Sequence, residues 1–288
     1  MKTIGIAGCG LIGGSFAKAV KTKTDCRVLA FDQNESTLCR AELENAIDGR
    51  LNAQTLKHCD LVLIALPPHA IVPFLREYAA KFKKDAIVID CAGVKRTICP
   101  EAWRIADANN FLFIGGHPMA GKERSGFERA SDALYNNASM LLVFEEIPQL
   151  ARLEKIKKFF LDLGFARVVT TTPEKHDRLI AYTSQLAHAL SASFVKSPTA
   201  DEHAGFSAGS FRDMIRVASV DPQLWSDLFL DNRDNLQREI HTLISRLAEF
   251  ETALKKNDRE QLVELFTQGA QRKATIESLR TFRETKGK

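Results

Sequence analysis

The stretch KTIGIAGCGLIGGSFAKAV, Lys2 to Val20, gathers Gly5, Gly8, Gly10, Gly13 and Gly14 from a chain that has only sixteen glycines. An apolar run leads into Gly8, and a helical pattern resumes after Gly13. Gly8, Gly10 and Gly13 spell G-x-G-x-x-G, a spacing that arises often in turns. Its context gives it weight: it follows a strand pattern and opens a helix. An acid, Asp32, closes the second strand pattern nineteen residues past Gly13. Each glycine then has a physical role. Gly8 permits a tight turn, Gly10 lets the backbone approach a pyrophosphate, and Gly13 lets helix and strand pack closely. Leu11 and Ile12 open the helix, whose amide donors and partial positive charge favour phosphate. Asp32 would accept hydrogen bonds from the ribose hydroxyls and repel a 2′-phosphate. Gln33 and Asn34 follow it, with no adjacent Arg. The expected cofactor is NAD rather than NADP.

The same reading extends along the chain. Apolar strand patterns recur at 27–32, 61–67, 86–93, 111–116, 140–146 and 166–172, with helical stretches such as 68–81 and 148–162 between several of them. Continuous apolar strands alternating with helices predict an α/β fold: a Rossmann-like, mostly parallel sheet covered on both faces. The segment ALPPH (65–69) would lie on the sheet edge that holds the nicotinamide ribose, which makes Leu66 and Pro67 candidate cofactor contacts. Pro67-Pro68 also reads as a helix start. After Thr172 the character changes. Thr172 followed by Pro173 reads as an N-cap with proline at the first helical position, and no convincing strand follows. Leu236, Ile240, Leu243, Leu247, Phe250 and Leu254 form one helical stripe suited to other helices or a second subunit. The expected division is a dinucleotide-binding domain over 1–170 and an all-helical domain over 171–288, with a homodimer built mainly from the helical half.

Composition narrows the partners. At 45% hydrophobic residues the chain can build a sizeable core, and its net charge of +4 is spread among interspersed acids. That favours a small anionic ligand over nucleic acid, which calls for a basic stripe. No membrane span or signal peptide is apparent. The six cysteines all lie between Cys9 and Cys99 without a CxxC spacing, several in apolar runs, which points to reduced, buried thiols in a cytoplasmic protein and to no metal site.

A second unusual stretch is GGHPMAGKERSGFERA (115–130). His117 follows a strand pattern and precedes Pro118, at the carboxyl end of a sheet where ligands collect. A dehydrogenase needs a base for the hydroxyl proton as hydride departs, and imidazole suits the task. Further on, Arg212 and Arg216 stand four apart on a helical pattern, so both guanidiniums share one side and could receive a dicarboxylate. Arg212 could instead pair with Asp213 as a structural charge, and Trp225 reads as core or pocket wall.

Together GCGLIGGS, HPMAGKE, SQLAH (184–188) and GSFRDMIRVASVDPQLW (209–225) resemble the prephenate dehydrogenase family over nearly the whole chain. The resemblance implies oxidative decarboxylation of prephenate to 4-hydroxyphenylpyruvate in tyrosine biosynthesis. Arogenate dehydrogenase is the nearest alternative, and more distant ones are a 3-hydroxyacid dehydrogenase, an imine reductase or a non-catalytic NAD-binding regulator. It implies His117 as the catalytic base, His188 as a second pocket histidine with Ser184 one turn before it, and Arg216 on a substrate carboxylate. Glu123 matches an acid at the pocket mouth. His58, His69, His176, His203 and His241 are expected at the surface or in structural roles. Neither a regulatory ACT domain nor a mutase segment is expected. One position departs from the family: Gly93 stands where some relatives carry a serine that hydrogen-bonds the catalytic histidine. The orientation of His117 must then come from another group.

Overall fold

The computed structural model describes residues 1–122 and 124–286. Eight strands form one sheet among these residues: β1 (Thr3–Ala7), β2 (Arg27–Phe31), β3 (Gly49–Arg50), β4 (Leu61–Ile64), β5 (Ile87–Asp90), β6 (Leu112–Pro118), β7 (Ser139–Val143) and β8 (Arg167–Thr171). Their order is β3-β2-β1-β4-β5-β6-β7-β8. Every pairing is parallel except β6 with β7. The crossovers carry helices α1 (Leu11–Lys23), α2 (Glu35–Leu43), α3 (Pro68–Tyr78), α4 (Cys99–Asn109) and α5 (Leu150–Asp162).

The near-continuous apolar strands have their explanation in two cores. Alternate residues of a strand point to opposite faces. On one face Ile4, Ile6, Leu61, Leu63 and Ile89 pack with Phe16 and Val20 of α1 and Phe160 of α5. On the other, Val62, Ile64 and Val88 pack with Ile71 and Leu75 of α3 and Ala102 of α4. Each of the larger side chains contributes about 1.5–3 kcal/mol when fully buried. Tyr135 stacks on Phe16 at 4.2 Å between ring centroids and donates its hydroxyl to the Ile12 carbonyl at 2.6 Å. The segment that follows His117 is thereby fastened to the helix that opens at the glycine turn.

Three details differ from the sequence reading. The two-residue strand β3 carries too little pattern to stand out. Several strands end before their apolar run does, because β4 and β5 give way to loops at the carboxyl edge. His117 lies within β6, opposite Leu141 of β7, rather than after the strand.

Strand gives way to helix between Thr171 and Pro173. The Thr172 side chain accepts from the Lys175 amide, and Pro173 occupies the first turn. Thereafter the described residues are helical or irregular: α6 (Pro173–Ile180), a π-helical turn Ala181–Gln185, α7 (Leu186–Phe194), α8 (Gly209–Ile215), α9 (Pro222–Asp231), α10 (Arg233–Lys255) and α11 (Arg259–Lys286). The chain groups into two compact units, Met1–Leu236 and Gln237–Lys288. Helices α6 to α9 therefore belong to the same unit as the sheet. In the second unit Phe250 and Phe266 meet edge to face at 5.4 Å. No helix among the described residues is long and apolar enough to cross a membrane.

Candidate active site

The glycine turn has the geometry its spacing implies. Gly8 adopts φ +89°, and a Cβ there would lie 2.5 Å from the Ala65 carbonyl oxygen. A Cβ on Gly13 would lie 1.8 Å from the Gly8 oxygen, so the helix can approach the turn only without a side chain. At Gly10 a Cβ would meet nothing within 4 Å. That open side is where a pyrophosphate could reach the backbone. Across the turn, Asp32 accepts from the Cys9 amide at 2.7 Å through one oxygen and from the Asn34 amide at 2.9 Å through the other. Leu11 and Ile12 open α1, while Leu66 and Pro67 follow β4 at the same edge of the sheet as the turn. These residues fit a dinucleotide.

His117 is set by its neighbours on three sides. The Gly116 amide donates to Asp90 at 3.0 Å, and a Cβ on Gly116 would lie 2.3 Å from the Asp90 carbonyl oxygen. Glycine is thus required where β6 leaves the parallel ladder. Asp90 also accepts from the Ala92 amide at 3.0 Å and pairs with the ammonium of Lys95, both side chains fully buried. Removing one member of such a pair would strand a buried charge, at a cost of about 3–5 kcal/mol.

The imidazole itself meets His176. Nδ1 of His117 lies 2.9 Å from Nε2 of His176, and Nδ1 of His176 lies 2.7 Å from Oδ1 of Asp177. His176, expected at the surface or in a structural role, is buried at 2% exposure and is the direct partner of the candidate base. It supplies the contact left open by Gly93. A Cβ on Gly93 would stand 3.2 Å from Leu228 Cδ2 and 3.9 Å from His117 Cε1. An apolar methyl of Leu228 therefore lies against position 93. No spacing rule could have found His176, because α6 and β6 are joined only by folding. Its weak sequence signal was a His-Asp pair in the first turns of a capped helix.

Asp177 is held by four donors. The backbone amides of Lys95 and Arg96 each reach it at 2.9 Å, the Arg96 Nε at 3.3 Å and His176 at 2.7 Å. Arg96 continues to Asn232 at 3.2 Å and forks onto Asp234. Asn232 in turn donates to the Asp177 carbonyl and to Gln185, both at 2.8 Å. This polar knot fastens the loop after β5 to α6, α9 and the start of α10.

The electrostatics follow from the packing. Burial pushes His117 well below the usual imidazole range, with His176 and the Lys95 charge acting in the same direction. Burial lowers His176 as well; its bond to Asp177 opposes that, and Lys95 adds to it. For Asp177 burial works upward, but the His176 bond and the two amides outweigh it and leave the carboxyl below its ordinary value.

The second cluster stands on the helices. His188 donates Nδ1–H to the Ser184 carbonyl at 2.9 Å, and its ring lies on the Trp225 indole with centroids 3.7 Å apart. Burial lowers its pKa, and the charge of Arg216 lowers it further. Ser184 sits in the π-helical turn, so its carbonyl rather than its hydroxyl makes this contact. Arg216 closes α8, which is tied to α7 by a 2.7 Å bond from Ser191 to the Met214 carbonyl. Arg212 is exposed on the same helix. Trp225 and Leu228 lie one turn apart on α9, the first against His188 and the second beside Gly93. His203 is exposed and stacks on Phe211 at 4.9 Å. Glu123 lies outside the described residues.

A glycine turn built for a dinucleotide, with an imidazole at the carboxyl edge of the same sheet, defines a dehydrogenase-type site. The model for the prephenate dehydrogenase nucleotide-binding domain matches residues 16–170, and that for the prephenate dehydrogenase dimerization domain matches 172–268. The chain belongs to the prephenate dehydrogenase family. It is 29% identical over 273 residues to a prephenate dehydrogenase of Bacillus subtilis, covering 92% of this chain and 73% of that one. It is 28% identical to a cyclohexadienyl dehydrogenase of Zymomonas mobilis, covering 96% of this chain and 97% of that one. Among solved structures, prephenate dehydrogenase from Aquifex aeolicus in complex with hydroxyphenyl propionate and NAD+ superimposes with a TM-score of 0.79 at 28% identity, over 96% of this chain and 98% of that one.

Proposed function

We propose that this chain oxidises and decarboxylates prephenate to 4-hydroxyphenylpyruvate, with NAD as the cofactor. The carrying observation is His117, half-buried at the carboxyl end of β6 and held by hydrogen bonding in the domain that bears the glycine turn. Gly8, Gly10, Leu11, Ile12, Gly13, Asp32, Leu66 and Pro67 would hold NAD, which accepts a hydride when bound. His117 takes the proton of the ring hydroxyl and can return it to the phenol oxygen once the ring carboxylate has left as CO2. Aromatisation drives the change, so alignment and charge placement are the protein's main tasks. Arg216 holds a substrate carboxylate through its planar fork, and His188, braced between Ser184 and Trp225, lines the same pocket. Arg212, four residues before Arg216, is the second candidate for the dicarboxylate.

In this reading residues 1–170 bind the cofactor, and 171–288 bind substrate and pair two subunits. Leu247, Leu254 and Phe266 are 54%, 66% and 68% exposed in the single chain. Such an apolar surface supports a homodimer. The setting is cytoplasmic, without nucleic-acid or membrane partners. Turnover of prephenate and of arogenate, measured side by side with NAD, tests the assignment. Preference for arogenate would move the chain to the alternative substrate, and turnover of neither would remove the reading.

A further inference from the structure

We propose that Asp177 and His176 are a positioning pair that dictates which ring nitrogen of His117 carries the proton. This rests on His117 being the base, and it concerns how this chain manages without a hydroxyl at position 93. A carboxylate only accepts hydrogen bonds, so the 2.7 Å contact at Asp177 Oδ1 must be donated by His176 Nδ1–H. Neutral His176 then has a bare Nε2. That nitrogen faces His117 Nδ1 at 2.9 Å and can only accept, so His117 must carry its proton on Nδ1. The other nitrogen of His117, Nε2, is left with a lone pair, which is the form a base needs. In water an isolated imidazole side chain favours the opposite, Nε2–H form, so the fold has to impose this one.

Two further observations close the alternatives. A doubly protonated His176 would reverse the chain, but its ring is buried and both rings feel the Lys95 ammonium, so another positive charge there is disfavoured. Asp177 cannot turn away, because the Lys95 and Arg96 amides and the Arg96 guanidinium hold both of its oxygens. At position 93, Gly93 has no side chain and its nearest neighbour is the apolar Leu228, so it offers His117 no polar side-chain partner. When His117 gains the substrate proton, its Nδ1–H still donates to His176, with the Asp177 anion one ring behind.

The test is Asp177→Asn, read in two ways. An amide at this position can keep its oxygen toward the Arg96 donors and turn its NH2 toward His176 Nδ1, giving up the acceptor of the Lys95 amide, which reverses every donor in the chain. Long-range proton–nitrogen spectra of histidine-labelled, cofactor-free protein should show His117 as Nδ1–H in the wild type and Nε2–H in the variant. The variant's kcat should fall at least about a hundredfold with KM for prephenate within about threefold; the equivalent change in a protease triad costs about 10⁴ in kcat through the wrong tautomer. Should Asp177→Asn not fold, His176→Gln and His176→Leu carry the comparison. Gln offers an acceptor to His117 Nδ1–H and Leu does not, so Gln should retain at least about tenfold more kcat. A wild-type His117 in the Nε2–H form, an unmoved tautomer in Asp177→Asn, or equal kcat for the two His176 variants overturns the proposal. Loss of the functional reading would look different: wild-type protein would fail to turn over prephenate, while the spectra would still decide the tautomer.

Discussion

The carboxylate of Asp32 accepts a hydrogen bond from the backbone amide of Cys9, 2.7 Å away, between the first two glycines of the turn. The end of β2 is thereby fixed against the site that would receive the dinucleotide, and the acid cannot swing aside. A 2′-phosphate would meet a stationary negative charge. The ratio of kcat/KM for NAD over NADP should exceed about tenfold, the scale of one 1.4 kcal/mol electrostatic difference. Asp32→Ser should narrow that ratio. Equal or better use of NADP by the wild type would contradict this role.

His117→Asn keeps a polar side chain but cannot accept a full proton. It should lower kcat by a factor on the order of 10² to 10⁴, the usual share of general-base catalysis, with KM little changed. Steady-state kinetics with prephenate and saturating NAD measures it. A kcat within about threefold of wild type would pass the base role to His188.

Arg216 should show the reverse pattern. Arg216→Ala should mainly raise KM, through loss of a charge-assisted bond worth roughly 1.5–3 kcal/mol, or about ten- to a hundredfold. Arg216→Lys should recover only part, because an ammonium lacks the bidentate fork. A fall in kcat with KM unmoved would place Arg216 in the chemistry instead.

Acid should both slow and destabilise this protein. His117 and His176 are depressed in the fold by burial, whereas an unfolded histidine titrates near 6.5. Between the folded value and about 6.5 the unfolded chain binds more protons, so stability rises with pH across that window. It is fully present above about 6.5 and is lost as pH falls toward the folded values. The thermal midpoint should therefore drop between pH 7 and pH 5, and the acid limb of kcat should lie below pH 6.5. A midpoint that rises on acidification would mean these rings are charged in the native state.

The exposed stripe of α10 and Phe266 of α11 lead to a prediction about assembly. Sedimentation at micromolar concentration should give a dimer, and Leu247→Glu with Leu254→Glu should shift it toward monomer by placing charges on an apolar contact. A wild type that sediments only as monomer would remove the homodimer.

Much of the molecule was legible before folding. The glycine spacing, the apolar runs and the Thr172-Pro173 cap are local signals, since turn geometry, strand burial and helix initiation depend on residues near in sequence. They were enough for the α/β sheet, the switch to helices and the tight glycine turn. HPMAG and the arginine pair were visible as unusual chemistry in an informative place. The partner of His117 was not visible, and neither was the Lys95–Asp90 pair behind it.

The reason is physical. A histidine's role depends on what faces each ring nitrogen, and those neighbours come from separate elements: β6 for His117, α6 for His176 and Asp177, and the loop after β5 for Lys95 and Arg96. Periodicity can say that a side chain lies on a buried face, but not which atom it meets there. The sequence by itself determined the fold class, the tight glycine turn and the identity of the candidate base. Only tertiary structure decided that an Asp–His pair, rather than a hydroxyl at position 93, holds that base, because hydrogen-bond direction is set by contacts between segments 59 residues apart along the chain.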